Sequence, residues 1–226
     1  MSEAMTAESI IEAEWLLRGY WTRVRYPYQT PKSGWSDIDV VSYDPQKQHL
    51  VISESKVQGP KRTLYAYGEA AREKFTKVNK FLPGYFSFIN ALKLITANGL
   101  LFEDYALMVK ATTVQLVSNM IIDPGFKPKV LEEVKALAAK ECPHLTKLEV
   151  QIDTTIEVLA RVIEAEARHP QGRRYGNATL DIARELNRYL DPAILHAGKQ
   201  KPVLDALRNI AISPLLDALY AQPKPR

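Results

Sequence analysis

Two short runs decide the fold: SDIDVVSY over residues 36–43 and HLVISESKV over residues 49–57. Between them DPQKQ, residues 44–48, is a turn-rich connector of hairpin length, so the pair predicts an antiparallel hairpin. Alternate side chains of an extended strand share a face, which sets Asp37 and Asp39 together, roughly 7 Å apart. On the second run Leu50, Ile52, Glu54 and Lys56 share a face in the same way. Leu50, Val51 and Ile52 are apolar on both faces, as expected for a strand at the centre of a sheet. Acidic groups at the end of such a strand need compensation, because burying each charge costs several kcal/mol even after relaxation. Lys56 answers only one carboxylate. A bound divalent cation would answer the rest, and all-oxygen ligands suit Mg²⁺ or Mn²⁺. The plain alternative is that Asp37 caps a turn and that Glu54 and Lys56 form a partly exposed ion pair worth about 0–1 kcal/mol.

Upstream, residues 6–18 have helical spacing, with Ile10, Ile11, Trp15 and Leu17 apolar and Gly19 a natural stop. Residues 20–26 alternate aromatic, basic and β-branched side chains and predict a strand, followed by a loop marked by Pro27, Pro31 and Gly34. Downstream, Thr63 to about Leu82 is helical in pattern and is ended by Pro83 and Gly84. Residues 85–110 are mostly apolar without a clean period. Strands are expected over 112–121 and 147–152, with a helix between them from Pro128 to about Glu141, stopped by Pro143. Beyond Asp153 only helices are expected. Thr154 and Glu157 make a capping box for one reaching His169, Asn177 caps another through Leu190, and Pro202 opens a third. The expected organisation is an α/β core over residues 1–152 and a helical extension over 153–226.

The 226 residues are 46% hydrophobic and 25% charged, the composition of a globular chain. No apolar run approaches the roughly 18 residues of a membrane span. The acidic first residues lack the basic start of a signal peptide, and Cys142 is the single cysteine. A reducing, cytoplasmic setting is therefore expected, without a disulfide framework or a zinc site built on several cysteines. His49, His144, His169 and His196 share no metal-ligand spacing, and neither a serine-hydrolase nor a phosphate-loop motif occurs.

The net charge of +4 is unevenly placed. Glu3, Glu8, Glu12 and Glu14 face only Arg18 in the first 19 residues. Residues 57–82 carry Lys61, Arg62, Arg72, Lys74, Lys77 and Lys80 against Glu69 and Glu73, a local excess equal to that of the whole chain. Such a cluster is either a solvated helix face or the footprint of a phosphate-binding groove.

Taken in order, Glu8, then Gly19 and Tyr20, then GWSDID over 34–39, then ISESK over 52–56 resemble the PD-(D/E)XK nuclease superfamily. The nearest echo is its Holliday junction resolvase-like branch. Residues 8–58 carry the resemblance, residues 63–152 follow it by element order, and residues 153–226 lie outside it. The family's Pro-Asp pair is replaced by Ser36 and Asp37. The resemblance implies a restriction-endonuclease-like mixed central sheet flanked by helices, here with a C-terminal all-helical extension.

It also implies a site. Asp39, Glu54 and the backbone carbonyl of Ser55 would bind Mg²⁺ or Mn²⁺, with Glu8 binding directly or through water. Lys56 would orient or deprotonate the attacking water. Asp37 competes with Asp39 for the aspartate role and Glu12 with Glu8 for the helix acid; Asp39 and Glu8 match the pattern better. Lys61, Arg62 and Arg72 follow the catalytic strand where a substrate-facing helix is expected. Arg23 and Arg25, interleaved with Tyr20, Trp21, Tyr26 and Tyr28, would add phosphate or stacking contacts, or else simply pack with exposed guanidiniums.

The expected activity is metal-dependent phosphodiester hydrolysis, with DNA favoured as the nucleic-acid partner, RNA left open and no membrane partner. Cutting both strands of a duplex would favour a homodimer. The rival expectation is a non-cleaving nucleic-acid- or protein-binding module on the same fold.

Overall fold

The computed structural model describes residues 3–30, 34–56, 88–89, 92–93, 108–118, 127–145, 147–168 and 175–184. Helix α1 (Glu3–Leu17) buries Ala7, Ile10, Ile11 and Trp15 at helical spacing. It ends on Gly19, whose φ of 85° is open to a residue without Cβ. There Tyr20 N–H donates to the Trp15 carbonyl and Gly19 N–H to that of Leu16, both at 3.0 Å, a Schellman cap.

The turned chain enters a five-stranded sheet whose spatial order follows the sequence: β1 (Trp21–Gln29), β2 (Trp35–Asp44), β3 (His49–Lys56), β4 (Ala111–Ser118) and β5 (Leu148–Thr154). The first three strands pair antiparallel, and β3, β4 and β5 pair parallel. The hairpin turn is closed by the Asp44 carboxylate, which accepts the N–H groups of Gln46 at 2.9 Å and Lys47 at 3.1 Å. β1 extends past the expected end, carrying Pro27 inside it rather than in a loop. Its place at the sheet edge explains the tolerance, since among the described residues Pro27 has no outer neighbour to bond. The connection begins instead at Thr30, whose N–H donates to the Gly34 carbonyl at 2.8 Å.

Helices cover both faces. Ile10, Ile11 and Trp15 of α1 meet Val40, Val51 and Val117, together with Val158 of α3 (Thr155–Arg168). On the other face Val134 and Ala138 of α2 (Lys127–Glu141) meet Ile38, Leu50, Ile52, Leu116 and Ile152. Leu50, Val51 and Ile52 are fully buried, as the doubly apolar run requires, and each contributes roughly 1.5–3 kcal/mol. Among the described residues no helix is long and apolar enough to cross a membrane.

Beyond Asp153 the described chain stays on this body. β5 runs through Thr154, across the expected boundary. Thr154 and Glu157 form the expected capping box, Thr154 N–H donating to Glu157 Oε2 at 2.6 Å and Glu157 N–H to Thr154 Oγ1 at 3.2 Å. Asn177 caps a helical segment over 178–184 by accepting from Thr179 N–H and Leu180 N–H. Leu180 and Ala183 of that segment pack with Ala13 of α1 and Val162 of α3. The helices expected over 63–82 and after Pro202 lie outside the described residues.

One irregularity shapes the site. Val24 and Val40 pack with the α1 cluster, whereas Tyr26 and Ile38 lie in the α2 cluster. Residues two apart should share a face, so the alternation reverses on both strands between these rungs. The rung in between is Arg25 and Asp39. It drops out of the β1–β2 pairing, which otherwise keeps one register from Trp21–Tyr43 to Gln29–Trp35.

Candidate functional site

Asp39 also marks the place where β2 and β3 part. Their pairing runs from Asp44–His49 to Val40–Ser53 and stops, one step before Asp39 would stand opposite Glu54. β3 itself continues, held on its other side by β4 through the rungs Glu54–Leu116, Ser55–Val117 and Lys56–Ser118. On the side β2 has left, Asp39 Oδ2 accepts two hydrogen bonds from Ser55, from the backbone N–H and from Oγ, both at 2.6 Å. One carboxylate thus replaces a strand on the flank of the Glu54-Ser55-Lys56 triplet. Ser55 is buried, Asp39 and Glu54 are half-buried, and Asp37 is exposed. β3, β4 and β5 all run toward this end of the sheet, the carboxyl ends of parallel strands where α/β folds gather ligands.

α1 brings Glu8 to the same neighbourhood. Its carboxylate is buried and takes a forked contact from Arg25: Nε to Oε2 at 3.0 Å and Nη2 to Oε1 at 3.2 Å. Arg25 adopts φ 55° in the middle of β1. A non-glycine residue held there is strained by about 1–3 kcal/mol. The hydrogen bonds and charge of Glu8 hold its guanidinium more firmly protonated, with Asp37 and Asp39 adding to the effect. All three acids therefore lie in the field of one arginine. Glu12, one turn along α1, is engaged elsewhere: Thr22 Oγ1 donates to it at 3.1 Å and Asn177 Nδ2 at 2.7 Å. Of the two helix acids, Glu8 is the one whose partner stands beside Asp39.

Arg23 is exposed on β1, its guanidinium 5.3 Å from the centroid of the buried Tyr26 ring, a cation–π distance. Trp21 is 68% exposed on the same strand. Lys56 closes β3 through its backbone pairing. Lys61, Arg62 and Arg72 lie outside the described residues.

The oxygen groups along this end are the Asp39 carboxylate, that of Glu54 next to Ser55 in the chain, the Ser55 hydroxyl and backbone carbonyls. Oxygen donors with one or two carboxylates fit Mg²⁺, which keeps several waters and takes substrate phosphate oxygens as further ligands. Among the described residues there is no group of three or more His, Cys, Asp or Glu that could hold a metal. With both Glu8 oxygens engaged by Arg25, a cation here would rely on Asp39, Glu54 and the carbonyl of Ser55.

A buried polar cluster behind the site has no counterpart in the sequence reading. Arg161 of α3 forks onto Glu14 (Nε to Oε1 2.7 Å, Nη2 to Oε2 3.2 Å) and onto Asp153 (Nη1 to Oδ1 3.1 Å, Nη2 to Oδ2 2.9 Å). Gln115 of β4 donates to Glu14 at 3.0 Å and to Asp153 at 3.2 Å, and accepts from Trp15 Nε1 and Ser53 Oγ, both at 2.8 Å. Burial alone would lower the Arg161 pKa, but its bonds to Glu14 and Asp153 raise it above the usual arginine value. The cluster ties α1, β3, β4, β5 and α3 together beneath the site. Its only local signal is the Glu14–Arg18 spacing, closed as a salt bridge at 2.6 Å. At the opposite end of the sheet His49 bridges Tyr20 Oη at 2.6 Å and Thr113 Oγ1 at 2.9 Å, a structural use of this histidine.

Compared with family models, curated proteins and solved structures, the chain matches none of them.

Proposed function

We propose that this chain is a divalent-metal-dependent nuclease that hydrolyses phosphodiester bonds, with DNA the favoured substrate, and that its sheet is a restriction-endonuclease-like core. The observation that carries the reading is the bond from Ser55 to Asp39 at the point where β2 leaves β3. It brings the aspartate of the first hairpin strand against the middle of the Glu54-Ser55-Lys56 triplet, at the carboxyl end of the parallel strands.

When bound, the cation would polarise a phosphoryl oxygen and lower the pKa of its water. The protein's own part is positional. Ser55 holds Asp39 Oδ2, and Oδ1 has no partner among the described residues. Glu54 lies on the other side of the gap between the strands, on the rung Asp39 would share had the pairing continued. Lys56, by its place in the triplet, takes the role of orienting the attacking water or accepting its proton. In-line attack would leave 5′-phosphate and 3′-hydroxyl ends. Arg25 and Arg23 stand on β1 as cationic groups for the phosphate backbone, with Lys61, Arg62 and Arg72 continuing that role after β3.

One observation favours the second reading, a non-cleaving binding module: both oxygens of Glu8 are already taken by Arg25. The two readings separate on incubation with supercoiled, linear, branched and single-stranded DNA and with RNA, in Mg²⁺ or Mn²⁺. Cleavage that is lost in Glu54→Ala and Lys56→Ala supports the nuclease. Cleavage surviving in both variants would remove this site, and binding without cleavage of any substrate would favour the module.

A further inference from the structure

Arg25 has three features that a simple counter-ion does not need together. Its backbone sits at φ 55° inside a strand, its side chain is half exposed, and its fork is set onto a carboxylate that is only 6% exposed. Two of its five N–H donors, on Nε and Nη2, are spent on Glu8. The others have no partner among the described residues. They form the outer edge of a guanidinium already fixed in orientation, the geometry that grips a phosphate with little further ordering. Asp39 belongs to the rung left open across from Arg25, so an anion held there would lie beside the Asp39 carboxylate.

We infer that Glu8 is a positioning residue for Arg25 rather than a cation ligand, and that Arg25 is a preset anchor for a backbone phosphate of the nucleic acid at this site. The inference rests on the nuclease reading for its ligand class and specifies the residue that holds it. The reversed alternation of β1 and β2 explains why the arginine is strained. Val24 and Tyr26 must face opposite cores, and the residue between them turns onto the α1 side, where Glu8 is buried.

The test uses the full chain and a fluorescein-labelled DNA, single-stranded and duplex, with anisotropy read in EDTA so that no metal contributes. Wild type binds, Arg25→Ala binds about tenfold more weakly, and its salt dependence falls by about one phosphate contact. Arg25→Lys keeps the charge but not the fork and falls in between. Glu8→Gln weakens DNA binding while leaving Mn²⁺ affinity, followed by the signal of free Mn²⁺, at the wild-type value. Because Arg25→Ala leaves Glu8 buried without its partner, the double variant Glu8→Gln, Arg25→Gln keeps a neutral hydrogen-bonded pair and should reproduce the binding loss in a folded protein. Equal DNA binding by wild type and the Arg25 variants would overturn this inference and leave the nuclease reading standing. So would a Glu8→Gln variant that loses Mn²⁺ but keeps DNA. Absence of DNA and RNA binding by wild type, in EDTA and in Mn²⁺, would overturn both.

Discussion

The carboxylate of Asp39 and the backbone N–H of Ser55 are joined by a 2.6 Å hydrogen bond across the gap that opens between β2 and β3. Two expectations follow from this structural bracket together with the cation-ligand role proposed for Asp39. Asp39→Ala strips the buried Ser55 N–H and hydroxyl of their acceptor and should destabilise the fold by about 1–3 kcal/mol, read from urea unfolding. Asp39→Asn keeps an acceptor, so its stability should stay closer to wild type while cleavage and metal binding are lost. Equal destabilisation by the two variants would contradict the bracket.

The Glu14–Arg161–Asp153 cluster should behave as a buried network. Arg161→Met leaves two acids facing each other beneath the sheet, with Gln115 donating to both and Arg18 the one cation among the described residues still on Glu14, and should cost about 3 kcal/mol. Changing Glu14→Gln in the same chain should return part of that loss. A double variant no better than the single one would show that Glu14 and Arg161 act independently.

Asn177 joins the segment at 178–184 to α1 in two ways. Its Oδ1 caps Thr179 and Leu180, and its Nδ2 donates to the Ser9 carbonyl at 2.9 Å and to Glu12 at 2.7 Å. Asn177→Ala should cost about 2 kcal/mol, the upper range for a cap. Asn177→Asp keeps the cap but sets a second carboxylate against Glu12. It should therefore be less stable than wild type at neutral pH, as chemical denaturation would show.

His49 carries a pH dependence of known sign. Burial lowers its pKa from 6.5, so the unfolded chain takes up a proton more readily than the folded one. Its contribution is complete above pH 6.5 and is lost as pH falls through the lower folded value. Urea midpoints should therefore drop on acidification below about pH 6.5, and His49→Gln should flatten that part of the profile. A rise in stability over the same window would contradict the assignment.

The parts legible in the sequence are those written locally. The hairpin, the Gly19 cap, the Thr154–Glu157 box and the Asn177 cap each occupy a few consecutive residues whose chemistry specifies the turn. Pro27 was legible only as a breaker, because whether a strand tolerates proline depends on having a neighbour on that side, a property of the whole sheet. Strict alternation sets Asp37 and Asp39 on one face, but two opposed cores reverse it between Ile38 and Val40, and no local signal foretells that. The positive φ of Arg25 has the same origin. Glu14, Gln115, Asp153 and Arg161 come from four separate elements, and a reading by periodicity gives no means of pairing them. The acids of the site were legible as types, whereas which of them is already neutralised by an arginine was not.

The central claim is that Asp39 and Glu54, at the end of β3, hold a divalent cation. It is tested most directly by titrating the purified chain with Mn²⁺ and following the resonance of the free ion. The account predicts saturable binding of one Mn²⁺ per chain, competed by Mg²⁺ and abolished in both Asp39→Asn and Glu54→Gln. No saturable binding by wild type, or binding that both variants retain, would contradict it.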